Sequence, residues 1–358
     1  MSSFHSLVVK NVARETRDAV VLTFDVPRDL ADQYRYTQGQ HLTLRTHING
    51  EEVRRSYSIC APVGANQLRV AIKKVPGGIF SEWANSGLKG GDRIDVLPPT
   101  GHFFTPLSAE NKKHYVGFAA GSGITPMISI IETTLETEAQ SSFTLVYGNR
   151  ASSSIMFKEA LEDLKDTYLQ RLNLVFIMSR EQQDIPLFNG RITREKCDAL
   201  LKHWLDPSSI DVAFICGPES MMHEVSDSLQ AHGLDKKQIR MELFVAGIPS
   251  MNRAAPMHHV VGRADCHVTV IQDGRERTFG MEKNKLSVLD AALAQGIELP
   301  YSCKGGICST CRAKLIDGEV DMDNNFALED YEVAQAFVLC CQSFPVTDKV
   351  TVDFDRET

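Results

Sequence analysis

The chain has no long hydrophobic run. In its 358 residues no apolar stretch approaches the roughly eighteen needed to span a bilayer, so no membrane segment is expected. Met1-Ser2-Ser3-Phe4-His5 has neither a basic nor an apolar leader region, and no signal peptide is expected. There is no disulfide framework. The nine cysteines are an odd number, scattered except for one group, which suits reduced thiols in a cytoplasm. There is no basic excess. The net charge is −8, and from Arg263 onward 10 Lys/Arg face 17 Asp/Glu, so that segment carries −7 of it. Such an acidic end argues against nucleic acid. It suits either docking on a basic patch of a partner or plain solubility. Internal repeats and low-complexity segments are also missing. A hydrophobic content of 43% is ordinary for a globular chain, and the length calls for two or three domains.

One group of cysteines stands out. Cys303-Lys304-Gly305-Gly306-Ile307-Cys308-Ser309-Thr310-Cys311 spaces three thiols as C-x4-C-x2-C, with Cys340-Cys341 downstream. This is the arrangement of a plant-type [2Fe-2S] site, where four thiolates converge on two irons and backbone N–H groups bond the sulfurs. Gly305 and Gly306 are expected to let the loop fold tightly through positive φ. Zinc is the competing reading, but a zinc knuckle wants two paired C-x2-C units and the second is missing. Val338-Leu339-Cys340-Cys341-Gln342 reads as a short strand, whose neighbours face opposite sides, so only one thiol of the pair can join the others. Twenty-nine residues separate Cys311 from Cys341, the gap of plant-type ferredoxins. That selects Cys303, Cys308, Cys311 and Cys341 as metal ligands and leaves Cys340 a small buried residue.

Patterning divides the rest. Residues 1–106 hold short alternating runs such as Ala19-Val20-Val21-Leu22-Thr23-Phe24, separated by turns such as Asn49-Gly50 and Gly90-Gly91-Asp92. They predict an antiparallel β-barrel with one helix near Ser81. Residues 107–243 alternate apolar strands with helices starting near Pro126, Ile155, Arg194 and Ser220, the pattern of a doubly wound parallel α/β sheet. Residues 244–262 are aperiodic and rich in Gly and Pro, a linker in which His258-His259 reads as solvated. Residues 263–358 predict a hairpin about Asp273-Gly274, a short helix closed by Gly296, the cysteine loop and two further strands, a small mixed sheet with a helix across it.

Two glycine-containing turns point to phosphate binding. Ala120-Gly121-Ser122-Gly123-Ile124-Thr125-Pro126 joins a strand to a helix, where free N–H groups and the helix dipole suit a pyrophosphate. Cys216-Gly217-Pro218 ends a later strand of the same sheet, where such folds bind ligands. Gly77-Gly78-Ile79-Phe80-Ser81 offers a second N–H cradle at a helix start. In Arg54-Arg55-Ser56-Tyr57-Ser58 an Arg can hold a phosphate, a Tyr can lie against a flat ring and a Ser can bond a ring nitrogen. Read alone, the same stretch is also an ordinary edge strand.

Taken in order, R-x-Y-S, G-G-x-x-S, G-S-G-I-T-P, Y-G-N-R, C-G-P and the cysteine loop resemble the ferredoxin–NADP reductase superfamily with a fused ferredoxin domain. More closely the chain resembles reductase subunits of phenylacetyl-CoA epoxidase complexes, along nearly its whole length. The resemblance implies a FAD-binding barrel, an NAD(P)-binding α/β domain and a β-grasp ferredoxin domain. It implies that Arg55 binds the FAD phosphate, Tyr57 packs on the isoalloxazine and Ser58 lies near its N5. Gly78, Ile79, Phe80 and Ser81 would line the FAD pyrophosphate. Gly121, Ser122, Gly123, Ile124 and Thr125 would face the nicotinamide dinucleotide, and Cys216, Gly217 and Pro218 would lie beside the nicotinamide. Glu242 and Phe244 would approach the flavin, so that Ser58, Cys216 and Glu242 are the expected reacting residues.

An NAD site places an acid on the ribose 2′-OH. Here the corresponding strand ends carry Asn149-Arg150 and Ser179-Arg180, and two guanidiniums suit a 2′-phosphate, which favours NADPH over NADH. The bland reading leaves both arginines on the surface. The expected activity is a relay from NADPH through FAD and the [2Fe-2S] cluster to di-iron oxygenase subunits that epoxidise phenylacetyl-CoA. The alternatives are the same relay serving a Rieske-type aromatic or steroid hydroxylase, and a non-catalytic electron-transfer or scaffolding subunit.

Overall fold

The computed structural model describes residues 3–244, 265–283 and 285–356. Apart from Phe244, the expected linker at 244–262, with His258-His259, lies outside them. Among the described residues no helix is long and apolar enough to cross a membrane.

The amino-terminal part contains β1 (His5–Thr16), β2 (Ala19–Asp25), β3 (His41–Ile48), β4 (Glu51–Ser58), β5 (Leu68–Lys73), α1 (Ile79–Ser86) and β6 (Arg93–Val96). The strands pair antiparallel in the order β4-β3-β6-β1-β2-β5. In β1, Leu7 and Val9 are fully buried while Ser6 and Lys10 face water, the period-2 pattern of a half-buried strand. Asn49 and Gly50 both take positive φ (54° and 85°), the primed turn that a two-residue hairpin requires. Beyond β4, Ile59 bridges to Val70 and Cys60 N–H donates to Arg69 C=O at 2.9 Å, so the sheet curls onto its far edge as a barrel.

The middle part follows as β7 (His114–Ala120), α2 (Ile124–Thr137), β8 (Ser142–Asn149), α3 (Lys158–Thr167), β9 (Leu172–Met178), α4 (Arg194–His203), β10 (Val212–Gly217), α5 (Glu219–Ala231) and β11 (Ile239–Leu243). All five strands are parallel in the order β11-β10-β7-β8-β9. Both faces are covered. Tyr115, Phe143 and Phe214 pack on one side, and Phe118, Val146 and Ile215 on the other. Strand order reverses between β7 and β10, and the crevice at their carboxyl ends is the ligand position in such sheets. The helix expected near Ile155 begins at Lys158. Phe157 before it sits in the left-handed region (φ 58°), its N–H bonded to Glu15 Oε1 at 2.6 Å.

The carboxyl-terminal part holds β12 (Asp265–Gln272), β13 (Arg275–Glu282), α6 (Val288–Ala294), β14 (Arg312–Asp317), β15 (Val320–Met322), α7 (Asp330–Ala334), β16 (Phe337–Leu339), β17 (Ser343–Pro345) and β18 (Lys349–Asp353). The mixed sheet runs β13-β12-β18-β14-β16, with β15 and β17 as a separate ribbon. Ser287 caps α6 by accepting from Asp290 N–H at 3.1 Å. The strand expected at Val338–Gln342 stops at Leu339, and Cys340 and Cys341 lie in the turn that follows.

Candidate functional site

A cavity of about 240 Å³ is lined from all three parts of the chain. Arg55, Tyr57, Ser58, Gly78, Phe80 and Ser81 come from the barrel, Ser122, Thr125, Glu242 and Phe244 from the parallel sheet, and Cys303 and Cys308 from the cysteine loop. The hairpin register of β3 and β4 points Arg55 and Tyr57 to one side of the strand. Tyr57 packs on Phe80, ring centroids 5.5 Å apart, and Phe80 is held by the barrel core. Arg55 is exposed, and its Nη1 donates to the Arg54 carbonyl at 2.7 Å. Gly78 begins α1, and a Cβ there would meet Ser81 Oγ at 2.6 Å. Ser81 Oγ already accepts from Val75 N–H at 3.1 Å and donates to Gly78 C=O at 3.0 Å, so this serine shapes the turn. Ile79 is largely exposed, and only its backbone belongs to the cradle.

Of the three expected reacting residues, two meet. Ser58 Oγ donates to Glu242 Oε2 at 3.2 Å. Burial pushes the Glu242 carboxyl up to about 8, and the Ser58 hydrogen bond opposes part of that shift. Cys216 is fully buried in β10 and its thiol is raised well above the ordinary value by burial and by Glu242. It does not line either cavity described here. Its carbonyl instead backs the glycine turn: a Cβ on Gly123 would lie 2.0 Å from Cys216 O, so no side chain fits there. Gly121 takes φ 55°, and its carbonyl accepts from Tyr147 Oη at 2.9 Å. Ile124 is buried in the core, leaving Ser122 and Thr125 as the side chains that reach the cavity.

A larger cleft of about 1130 Å³ adjoins the first through Lys73, Val75, Ser122, Leu243 and Phe244. Gly121, Gly217 and Pro218 form its floor. Arg150 and Arg180 both line it, joined by a backbone bond from Arg180 N to Arg150 O at 2.9 Å. Arg191 lines the same cleft, a cation no motif indicated.

The cysteine loop is stapled by its own backbone. Gly305 and Ile307 N–H donate to Cys303 Sγ at 3.3 and 3.4 Å, and Cys303 N–H donates to Cys308 Sγ at 3.5 Å. The left-handed residues are Lys304, Gly306 and Ser309; Gly305 is not among them. Gly306 is obligatory, because a Cβ would stand 2.6 Å from Asn324 O. The Cys308 thiol and these N–H groups lower the Cys303 pKa, favouring the thiolate a metal needs. Cys311 is hydrogen-bonded to Cys341, while Cys340 is buried in the core beneath. All four are free thiols in two pairs, Cys303 with Cys308 and Cys311 with Cys341. Two pairs of thiols suit two irons with two thiolates each.

One further residue escapes the motif reading. His41, buried at the start of β3, lies between Glu242 and the Cys308 backbone. Its Nδ1 is 3.9 Å from Glu242 Oε1, its Nε2 is 3.2 Å from Thr100 Oγ1, and it hydrogen-bonds the Cys308 backbone. Burial first, and His102 second, push its pKa down to about 4, so the ring is neutral at physiological pH. Only a place in an alternating strand marks it in the sequence.

Comparison with known proteins matches the same three parts. Models for an oxidoreductase FAD-binding domain, an oxidoreductase NAD-binding domain and a 2Fe-2S iron-sulfur cluster binding domain cover residues 6–105, 118–227 and 270–346. The chain is 46% identical over 357 residues to a component of the 1,2-phenylacetyl-CoA epoxidase of Escherichia coli (strain K12), covering 100% of this chain and 99% of that one. It is 32% identical over 353 residues to the ferredoxin reductase component of 3-ketosteroid-9-alpha-monooxygenase of Rhodococcus rhodochrous, covering 97% and 96%. The solved structure of phthalate dioxygenase reductase shares the fold, with a TM-score of 0.56 at 22% identity over 98% of each chain. The chain is an NAD(P)H-dependent oxidoreductase with FAD-, NAD- and [2Fe-2S]-binding domains, which displaces the scaffolding alternative. Sharing this domain order and 46% of its residues end to end, it belongs to the family of iron–sulfur flavoprotein oxygenase reductases that includes this 1,2-phenylacetyl-CoA epoxidase component.

Proposed function

We propose that this chain is the NADPH-dependent reductase of a cytoplasmic di-iron oxygenase that epoxidises phenylacetyl-CoA. The observation that carries the reading is the single cavity bounded by Tyr57, Ser58, Glu242, Cys303 and Cys308. A ring seated there touches the nucleotide cleft on one side and the cysteine loop on the other. When bound, flavin exchanges a two-electron donor for one-electron acceptors, and a [2Fe-2S] cluster carries those electrons singly.

The residues divide the remaining work. Tyr57, backed by Phe80, would pack on the flavin ring, and Arg55 with the Gly78–Ser81 turn would take its phosphates. Glu242 keeps a proton at neutral pH and Ser58 orients its carboxyl, which places a proton donor at the cavity without a charge in it. Gly121 to Thr125, with Gly217 and Pro218, seat the dinucleotide, and Arg150 and Arg180 receive a 2′-phosphate. Cys303, Cys308, Cys311 and Cys341 hold the cluster. Residues 1–106, 107–243 and 263–358 take the flavin, nucleotide and cluster roles in turn. The buried free thiols Cys60, Cys197 and Cys266 support a reducing compartment.

The test supplies the purified protein with NADPH or NADH and with the purified oxygenase subunits that act on phenylacetyl-CoA. Epoxide formation driven better by NADPH supports the reading. Turnover only with a Rieske-type hydroxylase would move the chain to the second reading.

A further inference from the structure

Strand β4 has two working faces. Arg55 and Tyr57 face the cavity and Arg54 turns away from it to meet the carboxyl-terminal part of the chain, while Ser56 does both, lining the cavity and bonding Ser302. Arg54 is unusual for a charged residue, its side chain only 6% exposed. The guanidinium lies 3.9 Å from the centroid of Tyr301 and 5.0 Å from that of Phe4. Its Nε donates to Glu52 Oε1 at 2.8 Å and its Nη2 to Glu298 Oε1 at 3.3 Å, an oxygen that Arg45 Nη1 also reaches at 2.8 Å.

Beside it runs a row of four hydroxyls. Thr310 Oγ1 is 3.3 Å from Thr43 Oγ1, Thr43 is 3.2 Å from Ser56 Oγ, and Ser56 donates to Ser302 Oγ at 2.9 Å. Ser302 immediately precedes Cys303 and Thr310 immediately precedes Cys311, so the row ties both ends of the cysteine loop to β3 and β4. Thr43, Ser302 and Thr310 are buried. The outlying Lys236–Asp330 pair is exposed on both sides and contributes little by comparison.

We propose that Arg54 and the Thr43–Ser56 hydroxyl pair form a built docking face for the chain's own carboxyl-terminal domain, and that electrons cross from flavin to cluster in this docked arrangement. The inference rests on the functional reading above for where flavin and cluster sit. The contacts themselves stand without it. A buried guanidinium between two rings fixes the distance of approach, and the hydroxyl row fixes register along β4. Arg54 and Thr43 act as positioning residues, since neither lines the cavity, and Ser56 joins the cavity wall to Ser302.

The test uses the full-length holoenzyme, its Arg54→Leu variant, a Thr43→Val/Ser56→Ala double variant and a Thr43→Ser control. Anaerobic mixing with NADPH is followed at the flavin and cluster absorption bands, and amide hydrogen exchange is followed over residues 302–311. Flavin bleaching is expected to stay near the wild-type rate in Arg54→Leu and Thr43→Ser, and the double variant, which alters the cavity-lining Ser56, is read by its cluster bleaching relative to its own flavin bleaching. Cluster bleaching is expected to slow by roughly tenfold or more in Arg54→Leu and in the double variant, because a small misplacement is costly. Exchange over the cysteine loop is expected to rise in both, and Thr43→Ser is expected to behave as wild type. Cluster bleaching and loop exchange unchanged in the double variant would overturn the proposal, and that variant decides if Arg54→Leu does not fold. A wild-type protein that bleaches at neither band would instead defeat the functional reading, with loop exchange still deciding the docking face.

Discussion

Ser58 at the end of β4 donates to Glu242 in β11 across 3.2 Å, joining the barrel to the parallel sheet at the centre of the cavity. Both side chains face the same space as Tyr57 and Cys308, so this contact marks where nucleotide, ring and cysteine loop converge.

The Glu242 carboxyl has its folded-state pKa raised from 4.5 to about 8. The native protein therefore binds an extra proton between those values, and stability falls as pH rises through that window. Glu242→Gln should remove this slope in thermal unfolding of the flavin-free protein, a relative gain on the order of a few kcal/mol near the upper end. In kinetics, wild-type flavin reduction should decline as pH rises through about 8, and the variant should show no such decline. A wild-type profile flat through this range would remove Glu242 as the proton holder.

The two adjacent cysteines should separate cleanly. Cys341→Ser should abolish the cluster spectrum while flavin is retained, because Cys341 meets Cys311. Cys340→Ser should keep the cluster and lower stability by about 1–3 kcal/mol, the cost of a hydroxyl in a packed core. The opposite pattern in visible absorption would move the ligand to Cys340.

Arg150→Ala and Arg180→Ala should each raise KM for NADPH by about tenfold or more, the worth of a charge-assisted phosphate contact. KM for NADH should change little. Equal effects on both nucleotides would place the arginines on another part of the dinucleotide.

Gly123→Ala should be poorly tolerated, since its methyl would stand 2.0 Å from the Cys216 carbonyl. The expected loss is about 1–3 kcal/mol with weakened nucleotide binding, measured by thermal unfolding and by titration with NADP⁺. Wild-type stability and affinity would show that the turn can shift away from β10.

Local spacing makes much of this legible. The C-x4-C-x2-C loop, the G-S-G turn and the alternating strands are written in neighbouring residues, and each occurs where the pattern places it. Tertiary approach is not written that way. Alternation along a strand singles out one thiol of the Cys340-Cys341 pair, yet that strand ends at Leu339 and a turn presents Cys341. The positive φ expected at Gly305 falls instead on Lys304, Gly306 and Ser309. Cys216 sits behind the glycine turn because Gly123 packs on its carbonyl. Arg54 is the same residue type as its neighbour, and only strand alternation with the approach of Tyr301 and Glu298 distinguishes them.

The central claim is that electrons from the nucleotide pass through flavin to a cluster held by Cys303, Cys308, Cys311 and Cys341. The most direct measurement is flavin and iron content of the anaerobically isolated full-length protein, followed by one mixing with NADPH under optical and electron paramagnetic detection. One flavin and about two irons per chain are expected, with loss of the yellow band and then the paramagnetic signal of a reduced [2Fe-2S] centre. A colourless chain without iron or flavin that no reconstitution restores, or a flavin that bleaches with no cluster signal after it, would contradict the claim.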